Sequence, residues 1–544
     1  MQKPQWKPLT PPQRERMLRA DRFYRIETRF IMINRRLAGS TALVMLFAAP
    51  ALADVTPEQV WENWLSFSTS SGQTVTTESV ERDGDTLVVT GMQMDIDQEG
   101  VTGTGSIDEI RFTDMGDGTV EVTMSETYPF EMTIDAPEAD ADPATLSMEI
   151  RQPGMTITAS GDEAETVYEF SGPEMTIALT SVEGVDAEAV DLTVEAKLTN
   201  VTGKYLVSVG EGETSSLTSS FGAENLALTI AGSDLDPSPA EGEVAGPSAM
   251  KVNITMADLT GTTNGTFLGS AAMADMAAAL KAGFATDGTF SSGATTYDME
   301  VTEAAGVTKV TGQAESNTIS FAMDATQLAY SGGAKAVTMS MSAPEIPFPQ
   351  INIGYGEAAF GFQMPITATE EPADFSLLTR IVDLTVSDEI WALIDPTSQL
   401  PRDPATLVID TKGKAKLFVD IMDPAAMEAV GDQPPGELNA LDITSLQAKI
   451  AGAELTGSGA LTFDNTDLVT YGGMPAPTGK VDLKLVGGNT LMDKLVAMGL
   501  LPEDQVMGFR MMLSMFANAT GEDELSSTLE FKDGGFFANG QQLQ

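Results

Sequence analysis

The sequence predicts a mainly β protein: an extended antiparallel meander sheet, or open groove, with a few covering helices. Three observations lead there. Period-two alternation of apolar and polar residues runs through most of the chain. Turn signals interrupt it about every ten residues. The helical patterns are few and short.

The first 53 residues stand apart. Arg35-Arg36 precede the apolar run Leu37–Ala49, and Ala51-Leu52-Ala53 follows. A charged start, an apolar middle and an A-x-A site make a secretory signal peptide over 32–53. Cleavage after Ala53 leaves Asp54 as the new N-terminus. The run falls short of the ~20 residues that a membrane span needs. Residues 1–31 are basic and polar, and Met32 opens a compact signal by itself. The expectation is that 1–31 is an over-called extension. The arginine pair alone does not make a twin-arginine signal, so ordinary secretion to the periplasm is expected.

Charge narrows the partners. The whole chain has 30 basic and 79 acidic residues; taking 10 and 3 away with the first 53 leaves 20 and 76, a net charge of −56 over 491 residues. Such a surface repels phosphates at a distance, which argues against nucleic acid. There is no cysteine, so a secreted chain of this kind is held by its core alone. No second hydrophobic run reaches spanning length, so no transmembrane segment is expected in the mature chain.

The elements follow in order. Thr56-Pro57-Glu58 starts a helix with a cap, a proline at the first position and an acid in the first turn. Val60, Trp61, Trp64, Leu65 and Ser68 share a face of it. From Gln73 the alternation begins: Thr86–Val89, Ile107–Phe112, Thr119–Met124, Phe130–Ile134, Leu146–Ile150, Met155–Ala159, Val167–Phe170. Asp83-Gly84, Gly116-Asp117-Gly118, Pro153-Gly154, Gly161-Asp162 and Gly172-Pro173 read as the turns between strands. The series continues through Leu192–Leu198, Tyr205–Val209, Leu217–Phe221 and Leu226–Ile230. An N-terminal β-rich region of 54–232 is expected to end at a linker or long loop, 233–249, rich in Pro, Gly, Ser and acid. A C-terminal β-rich region with helices, 250–544, is expected beyond it. It holds a strand at Val252–Met256, an Ala-rich helix at Ala271–Phe284 and strands from Thr295 to about Pro365.

Residues 386–413 are the densest passage. Ser387 is placed to cap a short helix, with Asp388 and Glu389 in its first turn. Ile390, Trp391 and Ile394 share a face of it. Pro396 ends it, and Asp395 is pushed out of helical geometry. Pro401 and Pro404 flank Arg402-Asp403 in a rigid crossing, and Thr406–Asp410 reads as a strand. Trp391 is expected as a core anchor, with Arg402 and Asp403 in local bonds. Strands follow at Lys416–Ile421, Ile443–Ile450, Leu461–Asp464 and Lys480–Leu485. Two helices come next, Thr490–Met498 and Pro502 to Phe516. A hairpin closes the chain, with turns at Asp533-Gly534-Gly535 and Asn539-Gly540.

The chemistry that remains open is limited. There is no histidine, so histidine bases, triads and metal sites are excluded. No phosphate-binding glycine loop and no nucleophile elbow occur. Paired carboxylates or a Ser-Lys pair are left for catalysis, and nothing singles out a pair; the expectation is no enzyme, no cofactor and no catalytic residue. Asp95, Asp97 and Glu99 loosely match a calcium loop, but Ser106 stands where a bidentate Glu belongs; an acidic hairpin turn is the plainer reading. In the last helix Val506, Phe509, Met512, Leu513 and Phe516 share a face, widened by Met507, Met511 and Met515. Methionine suits surfaces that accept variable partners, so Met507, Met511, Met512, Met515 and Phe516 are the candidate wall of an apolar groove. A helix simply covering an open sheet is the alternative.

The central passage resembles the signature of a family of uncharacterised bacterial envelope proteins, known only as a domain of unknown function. Trp391, Asp395, Pro396, Leu400, Pro401, Arg402, Asp403 and Pro404 carry it, as W-x-L-I-D-P-x3-L-P-R-D-P. The ending LEFKDGGFFANGQQL is similar to the closing hairpin of another periplasmic β-rich family. Neither resemblance implies a reaction, and the motif is read as structural. The expected function is therefore a non-enzymatic periplasmic binding or scaffold role for hydrophobic envelope components, with lipid or another envelope protein as partner. A structural or protein-interaction module without ligand is the alternative, and a carboxylate-based hydrolase the third.

Overall fold

A computed structural model of the chain describes residues 54–70, 73–98, 100–135, 143–162, 164–184, 191–209, 214–233, 249–268, 270–273, 275–303, 305–431 and 433–544. The expected extension, signal peptide and cleavage residue Ala53 lie outside them, as do Glu99 and most of the expected linker. The fold is mainly β, and the strand pairings among the described residues are antiparallel.

The strands follow the chain as a meander of neighbours. β1 (Gln73–Thr76) and β2 (Ser79–Asp83) pair with β3 (Thr86–Gln98), which pairs with β4 (Val101–Asp114). β5 (Val120–Met124) and β6 (Thr127–Ile134) lie end to end along β4. β7 (Ala144–Arg151) and β8 (Thr156–Gly161) come next, each pairing with β9 (Glu165–Glu183). Three long strands follow: β10 (Asp191–Val209), β11 (Ser215–Ser233) and β12 (Ala249–Phe267). β11 and β12 pair along their whole length on either side of residues 234–248.

β13 (Ala285–Ser292) and β14 (Thr295–Glu303) again lie end to end, and β16 (Ser316–Asp324) and β15 (Gly306–Ala314) pair alongside them. The meander runs on through β17 (Gln327–Ser342), β18 (Ile351–Met364), β19 (Ala373–Val386), β20 (Ala405–Leu417), β21 (Gly436–Ile450), β22 (Ala453–Asp464) and β23 (Ala476–Val486). β25 (Glu524–Lys532) pairs with β23 and with β24 (Asn518–Gly521) and β26 (Gly535–Ala538); β27 (Gln541–Gln542) ends the sheet.

Many strands are longer than the sequence suggests. β9 runs straight through Gly172-Pro173, and Gly172 pairs with Val201. β10 joins Leu192–Leu198 to Tyr205–Val209, and β11 joins Leu217–Phe221 to Leu226–Ile230. The gaps between these runs are bulges within strands. Asn200, Asp258, Ala336 and Asp383 take left-handed backbone conformations, with φ of 49°, 51°, 49° and 55°, and Gly91 in β3 takes 59°. A bulge adds one residue and bends its strand. The extra residues sit at one level, so the register is the same on both sides: Thr199 pairs with Asn225 and Thr202 with Gly222. The side chain of Asn200 donates across this line to Glu224. The line of bulges is a crease running across the sheet.

The helices cover ends rather than the middle. α1 (Pro57–Ser70) starts with a reciprocal capping box: Gln59 N–H donates to Thr56 Oγ1 at 3.2 Å, and Thr56 N–H to Gln59 Oε1 at 3.0 Å. Its Val60 and Trp61 are buried on Leu87, Val89, Ile110, Phe112, Val120 and Val122. Trp64 meets Phe112 edge-on at 5.3 Å. This is the first core. The second gathers Ala279, Leu280, Phe284 and Ile366 with Phe267, Met323, Leu328 and Ile421, at one end of β12, β16, β17, β18 and β20. The expected helix over 271–284 is two shorter ones, α2 (Ser270–Met273) and α3 (Met276–Lys281). Asp275 breaks the run by capping α3, its Oδ1 accepting from Ala278 N–H at 3.0 Å.

α4 (Asp388–Ile394) forms where expected, with two corrections. The Ser387 hydroxyl does not cap it; it accepts from Asn352 N–H at 3.2 Å, tying the passage to β18. None of its residues is buried, and Ile394 is exposed, so no apolar face packs there. α5 (Pro424–Val430) was missed by sequence reasoning, although Asp423 before Pro424 signals it: the Asp423 carboxylate accepts from Ala425 and Ala426 N–H at 2.9 and 3.1 Å. α6 (Gly488–Ala497) and α7 (Glu503–Phe516) form as the chain predicts, and Gly499 turns between them at φ 73°.

Candidate functional site

Because cross-strand partners in a regular ladder share a face, the register identifies each face of the sheet. One line of direct partners runs Leu87, Phe112, Val122, Ile157, Phe170, Gly203, Phe221, Gly261, Phe290, Ile319, Gly332, Phe360, Thr379, Ile409, Leu446, Gly457, Leu483, Ser527. It crosses eighteen strands and meets no charge. On the other side of the crease a parallel line runs Tyr128, Ile150, Ile177, Ala196, Leu228, Ile254, Tyr297, Gly312, Met339, Ile353, Val386. On β10, β11, β12, β17, β18 and β19 no charged side chain shares this face.

Aromatic rings cover glycines along these lines. A Cβ on Gly203 would lie 2.1 Å from Phe170, one on Gly261 2.9 Å from Phe290, and one on Gly332 2.8 Å from Phe360. Each ring fills its glycine's place, which smooths the face. In the middle stretch the large side chains are open to solvent: Phe290 and Phe360 are 46% exposed and Leu377 is 49% exposed. Single exposed apolar residues are ordinary, but a contiguous apolar patch marks a contact surface.

The opposite face is polar and internally paired. Lys204 and Glu169, Lys309 and Glu300, and Lys414 and Asp374 are direct cross-strand partners joined at 2.9, 2.6 and 2.7 Å. Thr255 with Thr296 and Thr289 with Ser320 add hydroxyl pairs at 2.6 and 2.9 Å. Opposed pairs of this kind favour the antiparallel register. Two surface hollows of about 380 and 420 Å³ are mostly polar; the first involves Arg151, Glu174 and Lys197, and the second involves Glu169 and Lys204 and also touches Phe170 and Gly203.

The residues singled out from the sequence separate into three places. Asp95 and Asp97 stand on β3, pairing with Thr104 and Thr102 of β4. The Asp95 carboxylate accepts from Thr104 Oγ1 at 2.9 Å. They belong to a ladder, not to a calcium-type loop. Among the described residues no group of three or more His, Cys, Asp or Glu side chains could hold a metal ion.

The passage from Trp391 to Pro404 forms its own small knot. Asp395 is fully buried, and its Oδ2 accepts from Leu400 N–H at 2.7 Å. Burial works to raise its carboxyl pKa, but the Gln399 and Leu400 N–H groups and Thr397 outweigh that and hold it below the usual carboxylate range. Arg402 pairs with Asp388, donates to Ser398 Oγ at 2.9 Å and lies 6.0 Å from the Trp391 ring centre. Leu400 is buried, and Pro401 packs against Gly452. Trp391 is thus half-buried under Arg402 instead of anchoring a core.

Met507, Met511, Met512 and Met515 are exposed on α7, while Val506 is buried and Arg510 and Leu513 are half-buried. Arg510 pairs with Asp493 at 2.7 Å and donates to Asn489 Oδ1 at 3.0 Å, which turns that side of α7 toward α6. Phe509 is exposed too, so the expected apolar face is split. Sequence reasoning missed Asp523, whose two carboxylate oxygens accept from Asn489 and Thr490 N–H at 2.9 and 2.8 Å and cap α6 from another part of the chain. Only its place before a strand could have hinted at it.

Residues 281–543 match a family model. It is that of DUF2125, an uncharacterized protein conserved in bacteria. The DUF2125 region takes in the Trp391–Pro404 knot, α6, α7 and the closing hairpin, and it begins at Lys281, at the end of α3. No curated protein matches the sequence. The ferric citrate transporter FecA in its unliganded form is similar over 86% of this chain and 76% of its own, at 7% identity and a TM-score of 0.17. So slight a likeness bears on neither fold nor function. No helix among the described residues is long and apolar enough to cross a membrane.

Proposed function

We propose that this protein is secreted to the periplasm and holds hydrophobic envelope components, lipid above all, without catalysing a reaction. The single observation that carries the reading is the uncharged apolar face that continues from strand to strand and opens to solvent at Phe290, Ile319 and Phe360. An open sheet needs its apolar face covered. Helices cover the strand ends, and a ligand is the partner that completes the middle.

The electrostatics agree with a passive role. Among the described residues, every carboxyl with a resolved shift is held low, Asp420 by Lys281 and Glu174 by Lys197 among them. A general acid at neutral pH needs the opposite shift. The alternative, a protein-interaction module, is favoured by one feature, the exposed methionines of α7.

Native mass spectrometry of residues 54–544, purified from an envelope fraction without detergent, tests the proposal. Lipid-sized adducts that disappear in Phe290→Asp and Phe360→Asp support it. A bare mass, with no lipid in a solvent extract, contradicts it. Loss of adducts only in Met511→Asp and Met515→Asp moves the site to α7.

A further inference from the structure

We infer that the apolar face takes the acyl chains of several lipids at once, and that it favours lipids whose head groups carry no net charge. The inference rests on the lipid-holding reading above and concerns how many lipids and which kind.

Size carries the first half. From Phe221 to Leu446 the cross-strand line makes eight steps. At ~4.8 Å per step this is about 40 Å across the strands. Along the strands, the fourteen residues of β18 extend about 45 Å. The acyl layer of one leaflet, half of a ~30 Å hydrocarbon core, is about 15 Å deep. One lipid therefore leaves most of this surface wet. The α2 and α3 helices narrow it only at the strand ends. A site for one lipid would be a closed pocket of matching size, whereas Phe290, Phe360 and Leu377 all remain open across five neighbouring strands.

Charge carries the second half. The face offers no lysine or arginine on β10 to β12 or β17 to β19 to meet a head-group phosphate. The chain beyond Ala53 carries a net charge of −56. A head group standing at the rim of this face meets a negative field, so an anionic head is repelled and a zwitterionic one is not. Because the field is that of exposed charges, salt screens it.

The test is to incubate the 54–544 protein with vesicles of dioleoylphosphatidylcholine or of dioleoylphosphatidylglycerol, re-isolate it and count adducts by native mass spectrometry. The acyl chains are the same in both. The expected result is a ladder of at least about three adducts from the choline lipid, fewer from the glycerol lipid at low salt, and a smaller difference at high salt. Phe290→Asp and Phe360→Asp shorten the ladder, and Thr318→Asp on the polar face does not. Saturation at a single adduct overturns the count while leaving the proposed function standing. Equal uptake of both lipids at low salt overturns the head-group preference. No adduct with either lipid removes the proposed function itself, and this inference with it.

Discussion

The ring of Phe170 lies over Gly203, its directly opposed partner on the next strand, so close that a Cβ on Gly203 would stand 2.1 Å from the ring edge. The backbone carbonyl of Ser220 closes the other side at 2.8 Å. Glycine at 203 is thus a packing requirement as well as a weak strand former. Gly203→Val forces the ring off its place and should cost about 1–3 kcal/mol, read as a lower melting temperature. Gly508, an interior glycine of α7 with open space around it, is the contrast: Gly508→Ala should raise stability by about 0.5–1 kcal/mol.

The crease makes its own prediction at Ala336. Its φ of 49° is unfavourable for a residue with a Cβ. Ala336→Gly relieves that, less the entropy that glycine adds to the unfolded chain, and should leave a gain of about 0.5–1 kcal/mol. Ala336→Val should destabilise instead. Equal melting temperatures for the three would remove the crease as a strained feature.

Asp523 supplies what the glycine start of α6 lacks. Asp523→Ala leaves the Asn489 and Thr490 N–H groups unmet and should cost about 0.5–2 kcal/mol, with the loss localised to α6 in hydrogen exchange.

Below neutrality, stability should respond to pH through the carboxylates. Asp395, Asp420 and Asp523 are all held below the ordinary carboxylate range. A depressed folded pKa stabilises above the unfolded value of about 3.9 and the benefit is lost as pH falls through the folded value. There is no histidine to titrate. Thermal melts should be flat from about pH 5 to 8 and fall below about pH 4. A step near pH 6.5 would contradict this.

The methionines of α7 should matter little to folding. Met511, 67% exposed, can become Gln with a change within about 0.5 kcal/mol. A larger loss would mean that its side chain is packed.

The fold class and most strand positions were legible because period-two alternation survives in each arm of the sheet. The crease was not. A bulge shifts the alternation by one residue, as between Leu198 and Val201, Ala223 and Leu226, or Met256 and Leu259. In a single sequence that shift looks like the end of one strand and the start of another, so Gly172-Pro173 read as a turn. The methionine-bearing helix was legible as a helix, but which side faces outward depends on Arg510 reaching Asn489 and Asp493, partners set by the fold. The apolar face itself was written in the alternating residues; only the register shows that they join into unbroken lines.

The central claim is that one face of this sheet is the ligand face, and neighbouring residues on one strand can test it. Ile319 points to the apolar face and Thr318 to the polar one. A photocrosslinking amino acid at 319 should capture lipid in cells, and the same group at 318 should not. Equal lipid capture at both positions, or capture of a protein alone at 319, would contradict the account.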